Sequence, residues 1–178
     1  MAGHSHWKQI KHQKGTADQK RGTLFAKLLR AITIAAREEP NPEFNPRLRT
    51  TILKAGTANV PRDTIDRAIE RGRGSALTLE EIIMEAYGPG GVAILIKGIT
   101  DNRARTIAEI KTILKNHNAK WAEPGSVRWA FAEEGGEARA RFPQDLLEED
   151  REKLAALVGA LEERDDVQSV ETNAKEPA

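Results

Sequence analysis

The sequence predicts an α+β protein in which an N-terminal three-helix domain precedes a domain of strands and two further helices. Three observations carry this prediction. Apolar residues recur at helical spacing as far as about residue 70, then give way to short runs separated by glycine-rich turns. The change falls at Arg71-Gly72-Arg73-Gly74-Ser75, a linker-like stretch. The charge changes sign at the same place. Residues 1–75 carry 15 Lys and Arg against 7 Asp and Glu, a net of +8, and residues 76–178 carry 13 against 20, a net of −7. A basic helical domain is therefore placed at 1–75 and an α/β domain at 76–178.

Residues 1–15 show no apolar period and read as an arm that orders on a partner. Thr16 followed by Gln19 reads as a capping box, so the first helix is expected to begin near Ala17 and to stop before Pro40. At about 100° per residue, Lys20, Lys27, Arg30 and Arg37 share one face of it, and Leu24, Phe25, Leu28, Leu29, Ile32 and Ala36 the other. Only Ile34 sits among the basic residues against that pattern. Asn45 followed by Pro46 starts a second helix with Leu48, Ile52 and Ala55 inward. Val60-Pro61 opens a third with Ile65, Ala68 and Ile69 inward and Gly72 as its C-terminal cap.

In the second domain, 82–87 and 92–97 read as strands around the turn Gly88-Pro89-Gly90-Gly91. A helix follows over 103–116, with Ile107, Ile110, Ile113 and Leu114 inward. Strands at 126–132 and 137–142 flank Glu134-Gly135-Gly136, and a helix over 147–163 leads to a closing strand at 167–171 and a polar tail. The order is that of a ferredoxin-like βαββαβ domain preceded by an extra strand. Val127, Trp129 and Phe131 are expected to share a sheet face covered by Leu154, Leu157, Val158 and Leu161, which would bury Trp129. Trp7 is expected to be exposed until a ligand binds.

The basic domain points to a polyphosphate partner. The candidate nucleic-acid-binding residues are His4, His6, Trp7, Lys8, Lys11, His12 and Lys14 in the arm, Lys20, Arg21, Lys27 and Arg30 on the first helix, and Arg47 and Arg49 at the start of the second. Arg103 and Arg105 follow Asp101-Asn102 at another helix start. They could hold an anion there, while the local reading of Asp101 or Asn102 is a helix cap. A solvated helix face fits the same basic pattern. Trp7 among three histidines suits stacking on unpaired bases, and no helix shows an unmistakable base-reading set, so sequence-specific DNA reading is not evident.

There is no cysteine, which removes disulfides, thiolate metal sites and cysteine nucleophiles. The histidines of the arm lack a carboxylate or cysteine at fixed spacing, so no metal and no cofactor are expected. Gly88-Pro89-Gly90-Gly91 lacks the Lys and Ser/Thr of a phosphate loop and joins two strands, so it reads as a turn. No catalytic set emerges and no small-molecule substrate is evident. With no apolar leader and no run of membrane-spanning length, a cytoplasmic, non-enzymatic protein with no membrane partner is expected.

Several stretches together resemble one family. MAGHSHWKQIKHQK, DQKRGTLFAKLLRAITIAAR, NPRLRTTILKAGTANVPRDTIDRAIERG, AYGPGG, TDNRARTIAEI and GSVRWAF are similar to the YebC/PmpR family, whose mitochondrial relative is the translational activator of cytochrome c oxidase. The resemblance covers most of the chain. It implies a helical N-terminal domain, α/β domains after it, no catalysis and nucleic-acid binding. It implies a DNA-binding transcription regulator or, as an alternative, a translation factor associated with the ribosome and ribosomal RNA that assists synthesis of proline-rich stretches. Two departures stand out. The third domain that the family inserts in the second is expected to be missing, and His6 and Gln13 stand where basic residues are usual.

Overall fold

Helix-compatible residues fill the chain almost from its start to Glu38. The computed structural model describes residues 3–74, 78–134 and 137–175, with side chains for 17–74, 78–134 and 138–175. It shows a single 36-residue helix, α1 (Gly3–Glu38). The boundary expected near Ala17 is thus corrected. Thr16 lies inside the helix, and the preceding residues, with Lys8, Gln9, Lys11, Gln13 and Lys14, oppose helix formation only weakly, at Gly15. The side chains of His4, His6, Trp7, Lys8, Lys11, His12 and Lys14 lie outside the described residues, and so does the expected exposure of Trp7.

Residues 1–77 and 78–178 form two compact units. In the first, α1 packs with α2 (Pro46–Thr57) and α3 (Arg62–Arg73) around Ile32, Ala35, Ala36, Leu48, Ala55, Val60, Ile65, Ala68 and Ile69. The two-faced reading of α1 fails over its last turns. Ile34, set among basic positions, is only 5% exposed, and Ile32, Thr33, Ala35 and Ala36 are buried beside it. A helix apolar on every side is buried on every side. The Thr33 hydroxyl donates to Leu29 O at 2.8 Å and lies 3.2 Å from Ala68 O on α3.

Gly72 is not a cap, because α3 continues to Arg73 and is followed by Gly74. Gly72 is the place where α3 touches α1. A Cβ added there would lie 2.6 Å from Thr33 O and 2.7 Å from Ala36 Cβ. Gly72→Ala should therefore destabilise the helical unit by about 1–3 kcal/mol. The helix-propensity gain of about 0.5–1 kcal/mol opposes this but is too small to reverse it. Chemical denaturation followed by helical circular dichroism checks the sign, and a stabilised variant would refute the close packing.

The second unit is built on a four-stranded antiparallel sheet. Its centre is the hairpin of β1 (Glu80–Tyr87) and β2 (Ala93–Thr100), joined by a short 3₁₀ turn at Pro89–Gly91. Gly90 (φ 68°) takes a backbone conformation that suits glycine at this turn. The edges are β3 (Lys120–Ala122) beside β1 and β6 (Val167–Thr172) beside β2. Helices α4 (Arg103–Asn116) and α5 (Glu148–Glu162) cover one face through Ile110, Leu114, Leu154, Leu157 and Leu161, which meet Ile82, Met84, Ala86, Ile94 and Ile96. The intervening residues Ala93 and Leu95 face the other side, where a two-stranded ribbon packs, β4 (Phe131–Glu134) with β5 (Glu137–Ala140). The predicted class, an N-terminal helical domain followed by an α/β domain, is the one observed.

Within that class several elements fall elsewhere than expected. β3 was not anticipated, because three residues ahead of Pro124 are too few to show a period. The 126–132 strand begins only at Phe131, since Arg128–Ala130 form a 3₁₀ turn. Its pairing with 137–140 is as read, with Phe131 opposite Ala140. The hairpin is a separate ribbon instead of part of the main sheet. Its cover is the sheet itself, and α5 lies on the opposite face. Trp129 therefore does not join Val127 in the core. Val127 is fully buried and Trp129 is 56% exposed. The polar tail is also pinned. Asn173 Oδ1 accepts from Ala93 N–H at 2.8 Å, and Lys175 O accepts from Arg151 at 2.8 Å.

Candidate nucleic-acid interface

The predicted cations divide between the two units. In the helical unit Lys20 and Arg21 are exposed on α1, and Arg21 lies 3.3 Å from Asp18 one turn earlier. Lys27 and Arg30 are half-exposed, on the side of α1 where Ile34 is buried. Arg37 is exposed at the end of the helix.

Arg47 and Arg49 follow the Pro46 that opens α2. Arg47 pairs with Glu38 at 3.5 Å. Arg49 donates to Pro42 O at 3.1 Å and Glu43 O at 3.3 Å, so it clamps the connection between α1 and α2. Two further exposed cations, Lys54 and Arg71, were missed, although the same helical-wheel spacing places them outside. On α3, Arg62 pairs with Asp66, Arg67 with Asp63 and Arg73 with Glu70, all at the surface. Exposed pairs of this kind are worth about 0–1 kcal/mol, so phosphates could displace their carboxylates readily.

In the α/β unit the anion-binding reading of Arg103 and Arg105 meets carboxylates already in place. Arg103 lies 3.5 Å from Glu80. Arg105 lies 2.7 Å from Asp101 and 3.2 Å from the buried Asp166. Hydrogen bonds that Arg105 donates to Asp166 and then to Asp101 raise its pKa, which holds its guanidinium in the charged form. Asp166 also accepts from Thr106, whose hydroxyl lies 2.8 Å from that of Thr100. Asn102 caps α4 by accepting from Arg105 N–H at 3.0 Å, as the local reading had it. Thr100, Thr106 and Asp166 are buried and tie Arg105 into the fold, while Arg103 and Asp101 remain at the surface.

Among the described residues no group of His, Asp and Glu could hold a metal ion, and no helix is long and apolar enough to cross a membrane.

Residues 5–75 match the profile described as the TACO1/YebC protein N-terminal domain, and residues 79–138 match that of the TACO1/YebC second and third domain. A protein of Koribacter versatilis named a probable transcriptional regulatory protein is 44% identical over 168 residues, covering 93% of this chain and 67% of that relative. One of the same name from Aquifex aeolicus is 49% identical over 138 residues, covering 76% of this chain and 55% of its own length. The chain thus spans about half to two-thirds of these relatives. The crystal structure of a conserved hypothetical protein from Aquifex aeolicus superposes with a TM-score of 0.82 at 32% identity, covering 97% of this chain and 98% of that one.

Proposed function

We propose that this chain, which belongs to the TACO1/YebC family, is a non-enzymatic DNA-binding regulator of gene expression whose helical unit grips the phosphate backbone. The observation that carries the reading is the sorting of charge, +8 in residues 1–75 against −7 in the remainder. That boundary lies beside the division between two units with separate cores. A charge excess confined to one folding unit is the electrostatic footprint of a polyanion partner. The names of the relatives as probable transcriptional regulatory proteins support DNA as that polyanion.

In this reading Lys8, Lys11, Lys14, Lys20 and Arg21 meet phosphates along α1, joined by Arg37, Lys54 and Arg71, while Trp7 and its histidine neighbours lie against bases or sugars. Arg47 contributes at the start of α2. Lys27 and Arg30 contribute through their exposed portions, and Arg49, Arg103 and Arg105 act mainly within the fold.

Fluorescence anisotropy with a short labelled duplex tests this. Log affinity should fall linearly with log salt, at about −0.9 for each phosphate neutralised. Lys20→Glu with Arg21→Glu should weaken binding and make the slope shallower by about 1 for each contact removed, with circular dichroism unchanged. Affinity that ignores salt, or that survives this double reversal undiminished, would overturn the assignment.

A further inference from the structure

The chain has few aromatic residues, 3 Trp, 1 Tyr and 4 Phe. Two of them, Trp129 and Phe142, stand side by side on the surface at the end of the β4–β5 ribbon, 56% and 52% exposed. Their ring centroids lie 6.0 Å apart with 34° between the planes. The Arg141 guanidinium lies over the Phe142 ring at 5.3 Å. Arg128 and Arg139 are exposed close by in the chain, each facing one carboxylate at 3.4–3.5 Å.

We infer that Trp129, Phe142 and Arg141 form a platform on which unpaired nucleobases stack, a second nucleic-acid site in the α/β unit. This rests on the nucleic-acid-binding reading above and extends it from phosphate contacts to bases. Every base has a π-face, so two rings with an adjacent guanidinium bind single strands with little regard to sequence. Duplex DNA cannot use such a platform, because its bases are already stacked on one another.

The platform is held rigid from below. Glu85, 2% exposed, accepts from Gly125 N–H at 2.7 Å and Val127 N–H at 2.8 Å. Ala130 N–H donates to Val127 O at 3.0 Å, which sets the turn that carries Trp129. Arg141 N–H donates to Ala130 O at 2.8 Å, which ties the two ring-bearing segments together. The buried Asn173 donates its side-chain N–H to Phe142 O at 3.0 Å. Backbone fixed in this way leaves only the side-chain torsions of the two rings to be ordered on binding.

The acid of the unit is spread over it. Five of its 20 Asp and Glu lie on α5, which covers the sheet face opposite the ribbon. The ribbon itself carries Glu133, Glu134 and Glu137, set against Arg128, Arg139 and Arg141, with Glu134 paired to Arg139.

The test uses the full chain with Trp7→Phe and Trp121→Phe, leaving Trp129 as the only tryptophan. Oligo-dT and oligo-U distinguish single-stranded DNA from RNA as the source of the bases. Saturable quenching of Trp129 by either is expected. In the otherwise native chain, Phe142→Ala should weaken single-strand binding by about fivefold or more while leaving duplex affinity unchanged. Phe142→Leu, which keeps apolar bulk but removes the π-face, should give the same loss and covers the case in which the alanine variant unfolds. Trp129 emission unmoved by both oligomers, with salt-dependent duplex binding intact, overturns the platform and leaves the proposed function standing. Absence of binding to duplex and single strands alike overturns both.

Discussion

Asn45→Ala should destabilise the helical unit by about 3–5 kcal/mol, several times the roughly 1 kcal/mol lost at an ordinary helix cap. The reason is that Asn45, 5% exposed, serves two helices at once. Its Oδ1 accepts from Leu48 N–H at 2.9 Å and so caps the start of α2. Its Nδ2 donates to Ala35 O at 2.8 Å and Glu39 O at 2.7 Å, which satisfies carbonyls at the end of α1. Alanine would leave these groups without their partner in a largely buried place, and each such group costs about 1–3 kcal/mol. Asn45→Asp separates this double role from simple capping. Asp is as good an N-cap as Asn, yet here its carboxylate would face two carbonyl oxygens. Hydrogen exchange should show loss of protection in α1, α2 and α3 for both variants, with β1 and β2 unaffected. If Asn45→Asp were as protected as the wild type, the contacts to α1 would contribute nothing.

The contrast between the two roles of Asn45 shows what could be read from the sequence and what could not. Asn45-Pro46 announces a helix start because capping is local, acting over three residues. The same locality made α4, its Asn102 cap and the β1–β2 hairpin legible. The reach of Asn45 back to Ala35 has no such signature. Gly72 illustrates the same point, since a glycine one residue before the end of a helix looks like a cap unless the opposing Thr33 and Ala36 are known. The candidate interface was legible as a set of residue types and a charge imbalance. Which cations are already engaged, such as Arg105 with Asp166 and Arg49 with two carbonyls, depends on contacts that only the fold creates. The largest misreading, the burial of Trp129, came from treating 126–132 as one extended strand. The alternation of Val127, Trp129 and Phe131 was real, but the backbone curls through Arg128–Ala130.

What curls it is a carboxylate some forty residues earlier, and removing it should have the second large effect. Glu85 lies on the ribbon side of β1, almost wholly buried, where a hydrophobic residue would ordinarily sit. Its two oxygens take the N–H groups of Gly125 and Val127, and Arg128 approaches one of them at 3.5 Å from the surface. These donors lie in a turn with no strand partner to serve them, so the carboxylate replaces a ladder that the segment does not have. Glu85→Ala would orphan both N–H groups and open a cavity beneath Val127. A loss of about 3–5 kcal/mol is expected in the α/β unit. Glu85→Gln keeps the volume and one acceptor but turns an amide N–H toward the other donor, so it should be destabilised by an intermediate amount. Hydrogen exchange at 124–131 reports the local effect, with α1–α3 as the internal control. Trp129 emission should broaden and become more readily quenched by acrylamide as the turn loosens. If Glu85→Gln kept wild-type protection in that segment, two oxygen acceptors would not be required there. The turn would then be held by the Tyr87 hydroxyl, which donates to Ser126 O at 2.9 Å, and by the packing of Val127 and Ala130.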